Sequence, residues 1–254
     1  MRYAGSKRRF ARYIVPILET EINKHPDTVF IDMFMGGANI LSEVDSSSIK
    51  IGIDNNHYMI SLWDHLKYYG YKDIPETISE EEYYKIKQSV VNNDKKYNPW
   101  LIGYVGTCCS YGGAWFNGYA HFNPNKNEDH IKEARNGLIK QYNNFKNMDD
   151  TIFLEMSYDE FNFRKDTDYV VYCDPPYFDT KKYMSDFDNN KFWGYVRKTS
   201  KEFPNIKFFI SEYNAPDDFK CIWQMEKKDG MSTTKKGIRQ NTKIEKLFVF
   251  NPQA

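Results

Sequence analysis

The sequence lacks the features that define several large classes of protein. Its 254 residues include only four cysteines, with no Cys-x-x-Cys spacing, so neither a zinc site nor a disulfide framework is expected. No apolar run reaches the ~18 residues of a membrane-spanning helix, and Arg and Pro interrupt the apolar residues near the N-terminus, which argues against a signal peptide. These absences predict a soluble protein of a reducing compartment, without a bound metal.

An excess of one charge is also missing, because 35 basic residues balance 35 acidic residues. A nucleic-acid partner would therefore have to bind through local basic patches rather than through net charge. No low-complexity tract or internal repeat is present. The chain length suits one large α/β domain, or a core domain that carries a sizeable insertion.

The most informative stretch is a short apolar strand, residues 170–173, that leads into Asp174-Pro175-Pro176-Tyr177. Each proline fixes its own φ and lacks an N–H donor, so the strand has to end in a rigid turn. Asp174 and the carbonyl of Pro175 can accept both hydrogens of an exocyclic amine, while Tyr177 stacks on the ring. The stretch predicts a pocket for a flat, amino-bearing group; a purely structural β-turn is the alternative.

Two earlier strands are typical of a corner that binds a nucleotide cofactor. The first, residues 28–33, leads into a turn that contains Gly36 and Gly37, followed by an apolar helix start. The second, residues 49–53, closes with Asp54 about 20 residues after that turn, where a carboxylate can accept from ribose hydroxyls. The G-x-G-x-x-G spacing of dinucleotide sites is absent. The pair of strands therefore favours an adenosyl cofactor.

The N-terminal segment carries a candidate cofactor contact. Ser6 can cap a helix whose apolar residues recur at helical spacing, Gly5 allows close approach of the backbone, and Lys7 can reach out from the first turn. Pro16 falls within this pattern, where a kink or a restart is expected. An ordinary capped helix with a surface lysine is the simpler interpretation.

The middle of the chain breaks the α/β alternation with an irregular segment, residues 110–119, that is rich in glycine, aromatic side chains and amides. Such a loop inside an α/β domain is most often functional. Its Trp115 and Asn117 are suited to wedge between bases or to hydrogen-bond base edges. A plain structural insertion is the alternative.

A second candidate contact surface is the connection formed by residues 227–244. It holds one acid against six basic residues: Lys227, Lys228, Lys235, Lys236, Arg239 and Lys243. In a chain of zero net charge this concentration predicts phosphate binding. A solvated basic loop is the alternative.

Together, these motifs resemble the D12-class, Dam-like DNA adenine-N6 methyltransferases with alpha-ordered motifs, over nearly the whole chain. Residues 3–7 are similar to the family's aromatic-Ala-Gly-Gly-Lys motif, with Ser6 in place of the second Gly. Residues 32–37 are similar to Asp-Pro-Phe-x-Gly-x-Gly, with Met33 in place of Pro, and residues 174–177 are identical to the catalytic motif. Residues 110–116 lack the arginine that reads a guanine bidentately, so GATC specificity is not implied.

The resemblance implies an α/β fold of the Rossmann-like class I S-adenosylmethionine-dependent methyltransferases. The expected sheet is twisted, seven-stranded and mostly parallel, with an antiparallel hairpin at one edge. Residues 1–56 and 150–254 would form the catalytic domain, and residues 57–149 an inserted, mainly helical target-recognition region.

The resemblance also implies roles for individual residues. The expected catalytic residues are Asp174, Pro175 and Tyr177; the expected residues for S-adenosylmethionine are Tyr3, Lys7, Phe34, Gly36, Asp54 and Asp174; those for double-stranded DNA are Trp115, Asn117, Lys235, Lys236 and Arg239. We expect a monomer or weak dimer in the cytoplasm of a bacterial or phage-infected cell. The alternatives are methylation of RNA adenine or a glutamine side chain, a non-catalytic DNA-binding relative, and a nicotinamide-dependent enzyme.

Overall fold

The computed structural model describes residues 1–47, 49–146, 148–176, 187–228, 233–234, 237–238 and 242–251. The described part contains the helices α1 (Arg8–Ile22), α2 (His57–Tyr69), α3 (Glu80–Asn92), α4 (Pro99–Cys108), α5 (His130–Asn144) and α6 (Asn189–Glu202). Its strands are β1 (Val29–Asp32), β2 (Ile49–Asp54), β3 (Thr151–Glu155), β4 (Tyr169–Cys173), β5 (Ile206–Glu212), β6 (Phe219–Lys228), β7 (Thr233–Thr234), β8 (Gly237–Ile238) and β9 (Thr242–Phe250).

Seven strands form one sheet in the order β3-β2-β1-β4-β5-β9-β6. The first five strands of that order run parallel, whereas β9 runs antiparallel to both β5 and β6. The predicted sheet, mostly parallel with an antiparallel hairpin at one edge, is confirmed.

The order of the strands reverses between β1 and β4. From β1 the chain moves to β2 on one side, and β4 lies on the other. Asp32 at the end of β1 is in register with Gly52 and Tyr172 of the two neighbouring strands. The carboxyl ends of these strands therefore meet at a topological switch point, the usual position of a ligand site in an α/β sheet.

Both faces of the sheet are covered, which explains why its central strands are almost continuously apolar. On one face, Phe30 joins a core formed with α1, α2, α4 and α5. On the other face, its neighbours Val29 and Ile31 pack with residues of α6 such as Phe192. All five residues of β4 are buried.

The predicted start of α1 needs a small correction. The helix begins at Arg8 with Lys7 in the capping position and without a side-chain cap, while Ser6 Oγ accepts only a long bond, 3.3 Å, from the Arg8 amide. Pro16 lies inside the helix, which continues to Ile22, so the helix does not restart there, and the predicted kink stays a prediction. Pro16 is on the exposed side of the helix, where water can satisfy the carbonyl that loses its partner.

The helix predicted directly after the glycine turn is also absent from the described residues. Residues 36–42 form successive buried turns, and Ala38 has a φ of 51°, a left-handed conformation that a helix does not accommodate. The Asp32 carboxylate accepts from the amides of Phe34 and Leu41. The turn therefore folds around a buried acid instead of propagating as a helix.

The region between β2 and β3 is mainly helical, as predicted. Helices α2 and α4 approach closely because Gly103 has no side chain; a Cβ there would lie 2.2 Å from the carbonyl oxygen of Tyr58. None of the helices in the described ranges combines the length and apolar character needed to cross a bilayer.

Candidate active site

A buried lysine holds the carboxylate that follows β4. Lys7 Nζ lies 2.7 Å from Asp174 Oδ1 and 3.5 Å from Glu245 Oε1. Burial lowers the pKa of Lys7, but the two carboxylates outweigh burial, so its pKa is raised. The side chain is 6% exposed, which excludes a surface lysine. Lys7 is therefore a fixed ammonium that orients Asp174 at the edge of the sheet.

Asp54 braces the glycine turn from the end of β2. Its Oδ2 accepts from the Gly36 amide at 2.7 Å, and its Oδ1 accepts from the Asn56 amide at 2.8 Å. Burial raises the pKa of Asp54, although these two hydrogen bonds act to lower it. Each carboxylate oxygen retains a further lone pair, so Asp54 can still accept from a ligand hydroxyl.

The ring of Tyr3 packs directly on the glycine turn. A Cβ at Gly36 would lie 2.6 Å from Tyr3 Cε1, and a Cβ at Gly37 would lie 2.9 Å from Tyr3 Cβ. Gly36 also has a φ of 42°, a region that disfavours side chains. The structure thus brings Tyr3, Gly36 and Asp54 together, as the cofactor hypothesis requires; their contact with a cofactor stays a prediction.

Phe34, another residue predicted to bind the cofactor, lies at the rim of an aromatic cluster. Its ring centroid is 5.5 Å from that of Tyr158 and 5.7 Å from those of Phe187 and Phe192. Phe34 is only partly buried. It therefore offers an apolar ring next to the Gly36 turn.

Two acids at this edge were not identified as functional from the sequence. Asp32 is 2% exposed, and its Oδ1 has no hydrogen-bond partner in the described structure. Burial, reinforced by Asp174, raises the pKa of Asp32 well above its usual range. Glu212, at the end of β5, is 4% exposed and also retains one oxygen without a partner there. The sequence feature that could have identified both residues is an acid at the end of an apolar strand.

The loop of residues 110–119 packs on the protein on one side and exposes side chains on the other. Trp115 is half-buried and stacks on Tyr58, with ring centroids 5.4 Å apart and planes at 22°, and Lys87 Nζ donates to the Phe116 carbonyl at 3.0 Å. Asn117 and Tyr111 are exposed. The loop therefore presents side chains on a rigid base.

The same loop touches the N-terminal segment that carries Lys7. The Ala4 amide donates to the Gly113 carbonyl at 3.0 Å, and a Cβ at Gly113 would lie 2.8 Å from the Tyr3 nitrogen. From α5, the Gln141 side-chain amide donates to the Gly37 carbonyl. The helical region is thus connected to the Lys7 segment through Gly113 and to the predicted cofactor turn through Gln141.

Several predicted residues are not placed. Tyr177, Lys235, Lys236 and Arg239 lie outside the described residues, whereas Pro175 is buried directly after Asp174. Across the ranges that are described, no group of three or more His, Cys, Asp or Glu side chains is arranged to hold a metal ion.

The chain is similar in sequence to known proteins. The family model for D12 class N6 adenine-specific DNA methyltransferases matches residues 3–207. The Type II methyltransferase M.FokI of Planomicrobium okeanokoites is 26% identical over 192 residues, covering 70% of this chain and 28% of that protein. The chain thus spans well under a third of that relative's length.

Among solved structures, TrmN from Thermus thermophilus is 10% identical, with 94% of this chain and 48% of that chain covered and a TM-score of 0.37. A candidate methyltransferase complexed with SAH is 11% identical, with 96% and 54% covered and a TM-score of 0.37.

Proposed function

The chain belongs to the D12 class N6 adenine-specific DNA methyltransferase family, and we propose that it methylates N6 of an adenine flipped out of double-stranded DNA. Family membership implies S-adenosylmethionine as the methyl donor. The observation that carries the proposal is the Lys7–Asp174 pair, 2.7 Å apart at the switch point of the sheet. It supplies an oriented carboxylate where an amine has to be held.

The residues present fit the donor. Gly36 lets the Tyr3 ring lie directly on the turn, since a Cβ there would come within 2.6 Å of Tyr3 Cε1, Asp54 keeps lone pairs for ribose hydroxyls, and Phe34 and Tyr3 offer rings beside it. When bound, S-adenosylmethionine supplies an electrophilic methyl group on a sulfonium. The chain's own contribution is to hold this group and the amine in line, since positioning alone can supply much of the acceleration.

Asp174 would activate the amine. The N6 lone pair is delocalised into the adenine ring and is a weak nucleophile. If Asp174 and the Pro175 carbonyl accept its two hydrogens, the nitrogen becomes pyramidal and its lone pair is free to attack. Lys7 holds Asp174 in place by donating to its Oδ1, and Tyr177 would stack on the base, a contact worth ~1–3 kcal/mol.

The adenine cannot be reached inside a duplex, so it has to be flipped into the pocket. We assign target recognition to residues 57–149. Asn117 and Trp115 would act at the bases, and Lys235, Lys236 and Arg239 at the phosphates. The contacts between the loop and the Lys7 segment support a direct connection between recognition and chemistry. A monomer or weak dimer and a cytoplasmic location stay predictions.

The test is methyl transfer from labelled S-adenosylmethionine to unmethylated genomic DNA, with modified positions mapped by sequencing. N6-methyladenine within one short motif is expected. Cofactor binding without DNA labelling would overturn the DNA assignment and favour RNA or a glutamine side chain. Absence of cofactor binding would overturn the methyltransferase assignment itself.

A further inference from the structure

Glu212 is a buried acid that the scheme above does not use. It ends β5, the strand next to β4, whose end carries Asp174. Its Oε1 accepts from the Tyr213 amide at 2.7 Å, but its Oε2 is buried and has no hydrogen-bond partner in the described structure. An oxygen of this kind is costly to bury, and its retention calls for a functional explanation.

The charged groups around Glu212 are mostly acids or are engaged elsewhere. Asp174, at the end of β4, and Glu245 and Lys7 act on it electrostatically. Lys7 is engaged with Asp174 and Glu245. Lys246, in register with Glu212 on β9, directs its Nζ to Asn214 Oδ1 at 3.5 Å. Within the described residues, no salt bridge reaches Glu212.

Asp174 and Glu212 are therefore acids of opposite character. The Lys7 ammonium donates to Asp174 Oδ1 at 2.7 Å and orients it. Burial, together with the nearby Asp174 and Glu245, raises the pKa of Glu212 to about 7. A carboxylate with this affinity for protons is matched to proton transfer near neutral pH.

Glu212 also borders a route to solvent. A cavity of about 220 Å³ lies between the start of α6 and the end of β5. Its lining includes Glu212, Trp193 and Pro216 together with Asn189, Asn190 and Asn214. A cavity of this size has room for ordered water, and asparagine amides are suitable partners for it. Glu212 thus lies next to both the Asp174 cluster and this cavity.

We propose that Glu212 accepts the proton that adenine N6 releases during methyl transfer. The N6–C bond forms as the S–C bond breaks, and the electron pair of that bond stays on sulfur. One of the two N6–H bonds breaks in the same step, as its hydrogen leaves the acceptor that oriented it, and the proton forms an O–H bond on Glu212, directly or through one water. The neutral carboxyl group returns the proton to solvent through the cavity. This inference rests on the proposed function.

The wild-type enzyme supplies the first test. Glu212 has to be ionised to accept a proton, so the single-turnover rate at saturating DNA and S-adenosylmethionine should rise about tenfold between pH 6 and pH 8. A flat profile over that range in an active enzyme would overturn the proposal. An inactive wild type would instead count against the proposed function.

The second test compares variants under the same conditions. Glu212→Gln should reduce the rate about 10²-fold and abolish its rise with pH, whereas Glu212→Asp should be slower but keep the rise. Glu202→Gln, a change at an exposed acid of α6, is the matched control and should behave as wild type. Calorimetric binding of S-adenosylmethionine reports folding of each variant.

A merely structural Glu212 predicts a different pattern. Its loss would lower stability but leave the pH profile of the remaining activity unchanged. A folded Glu212→Gln variant that keeps the wild-type rate or its rise with pH would overturn the proposal. If that variant does not fold, the proposal is tested on the wild type and Glu212→Asp alone. A single-turnover rate that does not rise with pH in both proteins would then overturn it.

Discussion

The acidic edge of the sheet and the loop of residues 110–119 hold their functional groups by opposite means. At the edge, Asp174 is fixed by a buried ammonium, and Asp54 by two backbone amides. In the loop, backbone contacts and the stacked Trp115 hold a base from which Asn117 projects. One region is closed and charged; the other is open and largely uncharged.

The difference separates two tasks. Groups that stabilise a reaction have to be oriented before it begins, and burial strengthens their electrostatic effect. Groups that read a partner have to be reachable, which places them on loops held by a rigid scaffold. Changes at the edge should therefore alter the rate of the chemical step, and changes in the loop should alter the affinity for DNA.

The largest effect is expected at Asp174. Asp174→Asn removes the negative charge that accepts the amine hydrogens, so the single-turnover rate should fall by about 10²–10⁴-fold. Asp166→Asn, at an exposed acid, should leave the rate unchanged. A folded Asp174→Asn variant with a near-normal rate would show that this carboxylate does not activate the amine.

Lys7→Met should give the next largest effect, because it leaves the partly buried Asp174 and the buried Glu245 without the Lys7 ammonium. Urea denaturation should show a loss of about 3–5 kcal/mol at neutral pH. In the wild type, the raised pKa of Lys7 means that its stabilisation is fully present below the usual lysine pKa and is lost as the pH rises through the higher, folded value.

The variant should show a distinct dependence on pH. Protonating a carboxylate that has lost the Lys7 charge removes a buried charge, so Lys7→Met should recover part of the lost stability on acidification. Lys24→Met, at an exposed lysine that pairs with Glu21 just beyond the end of α1, is the control and should change stability little. Equal losses for the two lysine variants would contradict the assignment of Lys7 as the cation of the cluster.

An intermediate effect is expected at Asn117. If its amide hydrogen-bonds a base edge, Asn117→Ala should weaken DNA binding by about 1–3 kcal/mol and leave S-adenosylmethionine binding unchanged. Fluorescence titration with DNA that carries the target motif measures the DNA affinity, and calorimetry measures S-adenosylmethionine binding. Unchanged DNA affinity would remove Asn117 from the interface.

The smallest effect is expected at the glycine turn. Gly36→Ala introduces a Cβ 2.6 Å from the Tyr3 ring at a positive φ, with a cost of about 1–2 kcal/mol from the backbone alone and weaker cofactor binding. Gly112→Ala shares the positive φ but has no atom within 4 Å of the added Cβ. Equal cofactor affinities in the two variants would indicate that contact with Tyr3 does not shape the site.

The strands and their closing acids could be predicted because apolar periodicity and prolines act locally. The pairing of Lys7 with Asp174 could not, since it joins residues 167 positions apart. Nor could the isolation of Glu212, which depends on Lys7 being engaged elsewhere. The turn after Gly37 was misjudged because the left-handed Ala38 is set by packing around Asp32, not by its own preference.

The most direct measurement is the single-turnover methylation rate of Asp174→Asn and Asn117→Ala, each with its DNA affinity. The division of tasks predicts that Asp174→Asn loses rate while it still binds DNA. It predicts that Asn117→Ala loses affinity while its rate at saturating DNA stays within a few-fold of wild type. A normal methylation rate for Asp174→Asn would contradict the division of tasks. So would an Asn117→Ala variant that binds DNA normally but has lost most of its methylation rate.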